Sequence, residues 1–580
     1  MLCYIGVYLS SFGVNQFTGK LESSKPRAKI YHKVYKFFDS SVKKSIMWTF
    51  VVCFLVCALQ VSAATIAQES DPKYWIENGK RTLEEKSKQT LRTNTAKNVI
   101  LFLGDGMSLA TLTATRIFKG QLQNVSGESE HLSFERFPFT GISKTYCVDS
   151  QVADSACSAT AYLCGVKANK GTIGVTSKVS KGDCPASVLE EHQVTSIMQW
   201  AQWAGKATGF VTTTRVTDAS PTGCFASIAH REWESDQDMI DVSNGTTDIT
   251  QCEDIAKQLI TKDPGRNFKV IMGGGRNNFM MQAANSTGKR RDEDLIQNWK
   301  SDKETRFADK IAKYVTTRDE LAKTDMSQTD FVLGLFHESH MEYRLKSNVE
   351  TQPTLQEMTR NAIQLLQKEA NGYVLFVEGG LIDKAHHHTW ARVALDETLE
   401  FSKAVADAVA MTSEDDTLIV VTSDHAHTMT MAGYPKRNED ILGLSRSLAM
   451  DNKTYTTLSY AIGPKKSFTY DNTSCHRVNV TEEDLKQIDY EYPSLVDRKS
   501  DTHGGDDVVV FARGPMSHLF TGNYEQNQIA LGLAMAAGIS TDPPTNGSNI
   551  GNVVRLQFAG QTILTIITLI SLMRILQHSS

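Results

Sequence analysis

The sequence predicts an α/β fold with a largely parallel central β-sheet that is flanked by helices on both faces. Continuous apolar runs without polar alternation indicate strands that are buried on both faces, as in parallel sheets. Such runs occupy residues 99–103, 209–211, 268–272, 373–377 and 417–421. Segments with helical spacing, 354–368 and 393–411, lie between them, and Pro353 stands where proline favours a helix start. This alternation is typical of α/β proteins.

Length and composition favour a large globular core of this class. The chain has 580 residues, of which 41% are hydrophobic, and its net charge is −5. α/β enzymes often exceed the usual ~150 residues per domain as one core. No long basic block occurs, so nucleic acid is not expected as a partner. Residues 434–499 are polar and show no obvious buried strand, so we interpret them as a surface insertion.

The N-terminal residues 1–63 are predicted to be an extension followed by a signal peptide. Lys43 and Lys44 precede the apolar run 46–59, and small residues at 61–63 supply a cleavage point. The alternative is a transmembrane anchor, but the run is shorter than the ~20 apolar residues that a span needs. We therefore expect this part to be removed during secretion.

The C-terminal residues 547–580 resemble a signal for a glycosylphosphatidylinositol (GPI) anchor. Small residues at 546–548 are followed by a short spacer and by the largely apolar run 558–573. A retained transmembrane helix is the alternative. Both interpretations place the rest of the chain on the extracellular face of the cell membrane.

Glycosylation sequons and cysteines agree with an extracellular protein. Of ten cysteines, seven follow the predicted signal peptide, and in an oxidising compartment some should pair. An odd number leaves at least one free, and Cys164, inside an apolar segment, is a candidate for a buried thiol. The seven sequons begin at Asn124, Asn244, Asn285, Asn452, Asn472, Asn479 and Asn546.

Acidic and imidazole side chains stand where the predicted strands end. These residues are Asp105, Glu378, Asp424 and His425. Ligands of open α/β sheets bind at the carboxyl ends of the strands, so we expect these side chains to converge on one edge. Ser155 begins a segment of small residues that suits a helix, and a helix N-terminus favours an anion. A simple helix cap is the alternative role for that position.

A histidine-rich segment suits metal binding. Asp383 and His387 are four residues apart and share one face of a helix, and His386 fits this geometry too. A solvated turn is the alternative for this tract. His503 precedes another apolar run, 508–511, and offers one more imidazole. Histidine with aspartate suits zinc, whereas carboxylates with a hydroxyl suit magnesium.

From about residue 70 to 540 the chain resembles the alkaline phosphatases, and among them the animal, membrane-anchored type. The resemblance implies hydrolysis of phosphate monoesters to an alcohol and inorganic phosphate through a phosphoserine intermediate. The motifs that carry it are Gly104-Asp105-Gly106-Met107, Val152-Ala153-Asp154-Ser155-Ala156, Thr212-Thr213-Thr214-Arg215-Val216, Val377-Glu378-Gly379-Gly380, Thr422-Ser423-Asp424-His425 and Thr502-His503-Gly504-Gly505.

The resemblance also implies two zinc ions, one magnesium ion and the residues that bind them. It makes Ser155 the nucleophile and assigns Arg231 to phosphate binding. Two metals can stabilise both the attacking and the leaving oxygen of an in-line displacement. The implied ligands are Asp383, His387 and His503 for one zinc ion, Asp105, Asp424 and His425 for the other, and Asp105, Glu378 and Ser220 for magnesium.

Two positions near the implied site differ from the mammalian members of the family. Where those carry histidine, this chain has Asp218 and Lys384, a combination that resembles the bacterial enzymes. Our hypothesis is that Lys384 adds positive charge near the phosphate and that Asp218 orients the waters of magnesium. The calcium site of animal members is not predicted, because His337 and Gln352 stand where carboxylates are expected.

The resemblance extends to a disulfide and to assembly. It implies a Cys184–Cys252 bond, whereas the C-terminal cysteine pair of the family is missing. The insertion 434–499 corresponds to the variable crown of the dimeric animal enzymes, so we expect a homodimer by analogy alone. We therefore expect a catalytic domain over 64–546 between the two removed segments.

Two rival functions make different demands on the nucleophile site. A sulfatase needs a cysteine in a C-x-P-x-R pattern, and the sequence around Ser155 lacks proline and arginine at those offsets. A catalytically silent receptor should have lost a nucleophile or a metal ligand, and every matched one is present. Chelator-sensitive hydrolysis of p-nitrophenyl phosphate at alkaline pH discriminates the receptor from the enzyme.

Overall fold

The computed structural model describes the residues between the two predicted removed segments. The signal peptide, the C-terminal propeptide and the sequon asparagines Asn285, Asn472 and Asn546 lie outside the described residues. Two compact units, 1–77 and 78–580, divide the chain, and the sheet and the site lie in the second unit. No helix in the described part is both long and apolar enough to cross a bilayer. The described residues are 69–544, except 246–247, 285, 349, 465–469, 472–473 and 478.

Helices and strands alternate along most of the chain, as predicted. The α-helices are α1 (Pro72–Ser87), α2 (Leu109–Leu122), α3 (Ser155–Cys164), α4 (Cys184–Ser187), α5 (Ile197–Trp203), α6 (Ala219–Thr222), α7 (Asp236–Ser243), α8 (Ile255–Thr261), α9 (Leu295–Arg306), α10 (Arg318–Lys323), α11 (Leu355–Leu366), α12 (Leu381–His387), α13 (Ala391–Met411) and α14 (Gln528–Ala537). The strands are β1 (Asn98–Gly104), β2 (Phe139–Lys144), β3 (Ala207–Arg215), β4 (Val270–Gly274), β5 (Ala312–Val315), β6 (Phe331–Leu335), β7 (Tyr373–Gly379), β8 (Thr417–Thr422), β9 (Ala426–His427), β10 (Met429–Met431), β11 (Leu444–Ser445), β12 (Tyr455–Thr456), β13 (Leu458–Gly463), β14 (Tyr470–Asp471), β15 (Ser474–Arg477), β16 (Ser494–Asp497), β17 (His503–Gly504), β18 (Val508–Arg513) and β19 (Gly522–Glu525).

A ten-stranded sheet lies in the second unit, with the order β19-β2-β18-β8-β1-β7-β3-β4-β6-β5. From β8 to β5 in this order, neighbouring strands run parallel. Strand β18 runs antiparallel to both of its neighbours, β8 and β2. The predicted fold class, a largely parallel sheet in an α/β protein, is therefore confirmed.

Both faces of the sheet are buried, as the apolar runs predicted. In β1, Val99 and Leu101 belong to one hydrophobic cluster, whereas Ile100 and Phe102 belong to another. Successive side chains of a strand point to opposite faces, so the two clusters lie on opposite sides of the sheet. Burial on both faces explains why these strands show no polar alternation.

The two predicted helices are confirmed, with small differences at their ends. Helix α11 begins one residue later than predicted, because the Thr354 side chain caps it by accepting a hydrogen bond from the Glu357 N–H. The Glu357 carboxylate returns a contact to the backbone of Thr354, which completes a capping box. Pro353 therefore precedes the cap and is not the first residue of the helix. Helix α13 begins two residues before its predicted start.

The expectation that residues 434–499 contain no buried strand is wrong. Strand β13 pairs with β10 and β16 in a small sheet. Its residues Leu458 and Tyr460 are buried in a hydrophobic cluster with Leu442 and Tyr492. Only alternate residues of this short strand are apolar and buried, and that pattern is too brief to distinguish from a loop by periodicity.

Candidate active site

The register of the central strands brings the predicted acidic residues together. Leu103 of β1 pairs with Glu378 of β7 on one side and with Thr422 of β8 on the other. Asp105 directly follows β1, and Asp424 and His425 follow β8. All four polar residues are buried at the carboxyl edge of the sheet. The predicted convergence is thus present in the structure.

Ser155 is the first residue of α3 and faces this edge. Its Oγ lies 3.3 Å from His425 Nε2, and the residue is almost fully buried. Asp154 is the N-cap of the helix, and its Oδ1 accepts hydrogen bonds from the N–H groups of Cys157 at 3.2 Å and Gly171 at 3.0 Å. Asp154 therefore caps the helix. The Ser155 hydroxyl is not the cap and lies beside the imidazole of His425.

One group of candidate metal ligands surrounds Asp383. Its Oδ1 lies 3.3 Å from His387 Nε2 and 3.4 Å from His503 Nε2. The Nδ1 of His387 lies 2.8 Å from the Asp501 carbonyl oxygen, and that of His503 lies 2.8 Å from the Ala153 carbonyl oxygen. A carbonyl oxygen can only accept, so both Nδ1 atoms carry a proton, and the Nε2 atoms are the ones that face the carboxylate. Two imidazoles oriented in this way are typical metal ligands.

A second group consists of Asp105, Asp424 and His425. His425 Nε2 lies 3.1 Å from Asp424 Oδ2 and 3.6 Å from Asp105 Oδ1. Burial, and then the charges of Asp424 and Asp383, raise the pKa of Asp105 well above its ordinary value. Burial also lowers the pKa of His425 well below its ordinary value, which keeps the ring neutral. Like charges that are crowded and buried in this way need a cation to balance them.

A third group has only oxygen donors. Burial raises the pKa of Glu378 to about 8, against the hydrogen bond that it accepts from Thr212. Ser220 lies on α6, which packs against β7, the strand that carries Glu378. Among the described residues, Asp105 Oδ1, Glu378 Oε1 and Ser220 Oγ are buried without a hydrogen-bond partner. Unpartnered buried oxygens fit a hard cation such as magnesium.

Two positively charged side chains contact carboxylates of the site. Arg231 Nη1 contacts Asp154 Oδ2 at 3.2 Å, and its Nη2 contacts Asp218 Oδ1 at 3.4 Å. Lys384 Nζ lies 3.3 Å from both Asp218 Oδ2 and Asp383 Oδ2. Burial alone would raise the pKa of Asp218, but Lys384 and Arg215 hold it well below its ordinary value. Carboxylates therefore hold the guanidinium and the ammonium in fixed positions.

Comparison with known proteins decides the family. The family model described as alkaline phosphatase matches residues 96–539. The chain is 44% identical to the membrane-bound alkaline phosphatase of Bombyx mori over 494 residues, which cover 83% of this chain and 88% of that protein. This chain belongs to the alkaline phosphatase family.

Further relatives and solved structures agree. The tissue-nonspecific isozyme of Homo sapiens is 42% identical to this alkaline phosphatase over 507 residues, or 85% of this chain and 92% of that protein. The alkaline phosphatase of the Antarctic bacterium TAB5 shares the fold, with a TM-score of 0.53 and 23% identity over 78% of this chain and all of its own. That of Thermus thermophilus superposes with a TM-score of 0.54 and 20% identity over 79% of this chain and 95% of its own.

His427 is a residue of the phosphatase site to which the sequence analysis gave no role. Its Nε2 contacts Asp383 Oδ1 at 2.6 Å, and its Nδ1 contacts Asp501 Oδ2 at 2.8 Å. Burial opposes protonation, but the hydrogen bonds to these carboxylates raise the pKa of His427 to about 9. The signal was its position in Asp424-His425-Ala426-His427, the polar segment that closely follows the buried strand β8. The pairing of β9 with β17 then sets His427 opposite His503.

His386 differs from expectation in its contacts, and His340 is a residue near the site that was not predicted. His386 Nε2 lies 3.0 Å from Thr111 Oγ1 and its Nδ1 lies 2.9 Å from Tyr460 OH, so its ring is engaged away from Asp383. His340, in the loop after β6, lies 3.7 Å from Asp218 Oδ2. No motif in the sequence marked His340, because loop residues carry no periodicity that fixes their direction.

The structure contains the disulfide that the resemblance implied and a second one. Cys184 bonds to Cys252 as expected, and Cys147 bonds to Cys157, which was not predicted. Cys164 is a buried free thiol, as the sequence indicated, and Cys224 is another. Cys157 lies two residues after Ser155, so the Cys147–Cys157 disulfide is adjacent to the site.

Proposed function

We propose that this alkaline phosphatase hydrolyses phosphate monoesters through a phosphoserine at Ser155, with two zinc ions and one magnesium ion. The observation that carries the proposal is the position of the Ser155 hydroxyl. It lies at the N-terminus of α3, 3.3 Å from an imidazole of the second ligand group. Backbone N–H groups at a helix N-terminus and the Arg231 guanidinium favour a phosphoryl group at this point.

The ligand groups support particular metals. The residues proposed to hold zinc are Asp383, His387 and His503 in one group and Asp105, Asp424 and His425 in the other, and those for magnesium are Asp105, Glu378 and Ser220. When bound, such ions supply positive charge that stabilises a serine alkoxide and the oxygen of the leaving group. Nitrogen and carboxylate donors suit zinc, whereas the oxygen-only group suits magnesium.

The residues of the chain account for both steps. In the first, Ser155 Oγ gives its proton to solvent and forms a bond to phosphorus while the bond to the ester oxygen breaks, and the departing alkoxide takes a proton from solvent to leave as the alcohol. In the second, water attacks phosphorus from the same side that the alcohol left and loses a proton, while the bond to Ser155 Oγ breaks and that oxygen regains a proton from solvent. Arg231 donates two parallel hydrogen bonds to phosphoryl oxygens in both steps. Asp154 and Asp218 keep its planar group in one orientation.

Neighbouring charges support a role for Lys384 and Asp218 in binding phosphate. Lys384 lies between Asp218 and Asp383, so its ammonium is neutralised only in part by each. An incoming phosphate adds negative charge next to a buried cation, which is favourable where the dielectric is low. We assign Lys384 to substrate and product binding and Asp218 to orienting Lys384, Arg231 and the waters of magnesium.

The nucleophile is tested with Ser155→Ala and with the exposed control Ser177→Ala. We expect Ser155→Ala to abolish phosphatase activity and acid-stable labelling by ³²P-phosphate, and the control to retain both. Metal analysis of the parent enzyme should give two zinc ions and one magnesium ion per chain, and chelation should abolish activity. Full activity of Ser155→Ala, or an active enzyme without zinc, would refute the assignment.

We also propose that the mature enzyme is a GPI-anchored, glycosylated homodimer on the extracellular face of the cell membrane. It would comprise residues 64–546, with 434–499 as a crown-like insertion, after removal of 1–63 and 547–580. Support comes from the sequence signals, from the membrane-bound relative, and from the exposure of Asn124, Asn244, Asn452 and Asn479. Release from cells by phosphatidylinositol-specific phospholipase C, followed by light scattering, tests the anchor and the dimer. A released monomer contradicts the dimer, and resistance to the phospholipase contradicts the anchor.

A further inference from the structure

The Cys147–Cys157 disulfide closes a short covalent ring around the candidate nucleophile. The two cysteines are separated by 10 positions in the sequence, and both are buried. Cys157 lies in the first turn of α3, and Cys147 follows β2. Ser155 is thus contained in the ring, together with the residues that immediately precede it.

Three successive residues of this ring contact three different parts of the site. The Ala153 carbonyl oxygen accepts a hydrogen bond from His503 Nδ1 at 2.8 Å. Asp154 Oδ2 pairs with Arg231 Nη1 at 3.2 Å. Ser155 Oγ lies 3.3 Å from His425 Nε2. A shift of the ring would therefore move three groups together: the carbonyl oxygen that holds His503, the carboxylate that holds Arg231, and the Ser155 hydroxyl itself.

A second loop ties Arg231 to the ring through the backbone. The Val148 N–H donates to the Ala168 carbonyl oxygen at 3.0 Å, which joins the ring to that loop. Gly171, farther along the loop, donates its N–H to Asp154 Oδ1 at 3.0 Å and accepts from the Arg231 N–H at 3.0 Å. Arg231 is thus linked to the ring twice: its side chain contacts Asp154, and its main chain bonds to Gly171, which in turn bonds to Asp154.

The disulfide itself packs against few apolar side chains. The disulfide belongs to a small hydrophobic cluster with Ala153 and Ala168, separate from the clusters on the two faces of the sheet. Two methyl groups bury little apolar area, and the stabilisation from burial is proportional to that area. The sulfur–sulfur bond is therefore a covalent restraint between the segment after β2 and the first turn of α3, added to the hydrogen bonds described above.

We propose that the Cys147–Cys157 disulfide is a positioning element of the catalytic site, which holds Ser155, Arg231 and His503 in one relative arrangement. The inference rests on the proposed roles of these residues. Catalysis depends on the alignment of reacting groups, and a displacement of about 1 Å can cost about 100-fold in rate. The disulfide limits such displacements without touching the substrate itself.

The test compares the double variant Cys147→Ala/Cys157→Ala with Cys184→Ala/Cys252→Ala, which removes the other disulfide. Assays run well below the thermal midpoint of each variant, with metal content measured. We expect the first variant to lose at least 10-fold in kcat/KM and to bind inorganic phosphate at least 5-fold more weakly, while the second stays within twofold of the parent. Loss of phosphate affinity in a folded, metal-loaded enzyme is a readout that lowered stability alone does not produce.

Several outcomes would overturn the proposal. The first is that Cys147→Ala/Cys157→Ala keeps kcat/KM and phosphate inhibition within twofold of the parent. The second is that both double variants lose the same factor in kcat/KM. The third is that an alkylating reagent modifies Cys147 and Cys157 in the native enzyme without prior reduction, which would mean that the disulfide is absent. If the double variant does not fold, Cys147→Ala alone replaces it, because this variant keeps the Cys157 sulfur packed. The same losses in kcat/KM and phosphate affinity are expected.

Ser155→Ala, assayed in parallel, distinguishes a failure of the positioning role from a failure of the proposed function. If it is active, the proposed function fails; if it is inactive and the ring variant is fully active, only the positioning role fails.

Discussion

Glu397 is a buried carboxyl group whose ionisation should destabilise this enzyme at alkaline pH. It lies on α13, the helix that follows the Asp383 and His387 segment, and only 6% of it is exposed. Burial raises its pKa to about 8, and the charge of Asp396 adds to this effect. The backbone N–H of Arg344 donates to Glu397 Oε1 at 2.6 Å and offsets part of the rise.

The sign of the pH effect follows from proton binding in the two states. In the unfolded chain Glu397 releases its proton near its ordinary pKa of 4.5, whereas the folded enzyme keeps the proton until about pH 8. The folded state therefore binds more protons over this interval, and the free energy of unfolding falls as pH rises through it. At about 1.4 kcal/mol per pKa unit, the loss amounts to at most about 5 kcal/mol above pH 8.

Glu397→Gln removes the charge and keeps the oxygen that accepts from Arg344. We expect the variant to exceed the parent by about 2 to 5 kcal/mol in the free energy of unfolding at pH 9, and to match it closely near pH 5. Urea unfolding of both proteins at the two pH values measures the difference, so that pH effects common to both cancel. kcat at pH 9 should stay unchanged, because Glu397 contacts none of the proposed catalytic residues.

Glu482→Gln, at an exposed glutamate, is the matched control and should change stability at neither pH. The reasoning is refuted if Glu397→Gln gives the same difference at pH 5 and pH 9, since the effect would then arise from packing and not from ionisation.

Other predictions concern the site itself. Arg231→Lys keeps the charge but loses the planar fork, so phosphate should inhibit at least about 10-fold more weakly while some turnover remains; unchanged inhibition would contradict the bidentate role. Lys384→His should also weaken inhibition by phosphate, because the ring lacks a permanent charge, and equal inhibition constants would count against a charge effect. His427→Ala removes the hydrogen bond to Asp383, so zinc affinity should fall about 10- to 100-fold in competition with a chromophoric chelator. An unaltered zinc affinity would leave His427 without a role in holding metal.

The fold and the convergence of the site could be predicted because both follow from buried parallel strands. A polar residue that directly follows such a strand has its position fixed by the register, and this placed Asp105 beside Glu378 and Asp424. The pairing of Cys147 with Cys157 could not be deduced, since seven cysteines allow many pairings and spacing favours none. His427 was also missed as a contact of Asp383, because it belongs to the two-residue strand β9, too short to show a period.

The charges at the sheet edge explain why the site holds its shape. The register of the strands brings the carboxylates of Asp105, Glu378 and Asp424 together without a metal ion, so their mutual repulsion is a property of the fold. Nearby cations reduce it unevenly. Lys384 and Arg231 lie against Asp218, which is held ionised, while Asp105 and Glu378 keep raised pKa values and unpartnered oxygens. The protein thus supplies its own cations next to Asp154, Asp218 and Asp383 and leaves oxygens of Asp105 and Glu378 unpartnered, where metal ions would bind. An in-line displacement sets Ser155 Oγ and the leaving oxygen on opposite sides of phosphorus, so a phosphoryl group at Ser155 would lie between the metal-ligand groups and Arg231 and contact both.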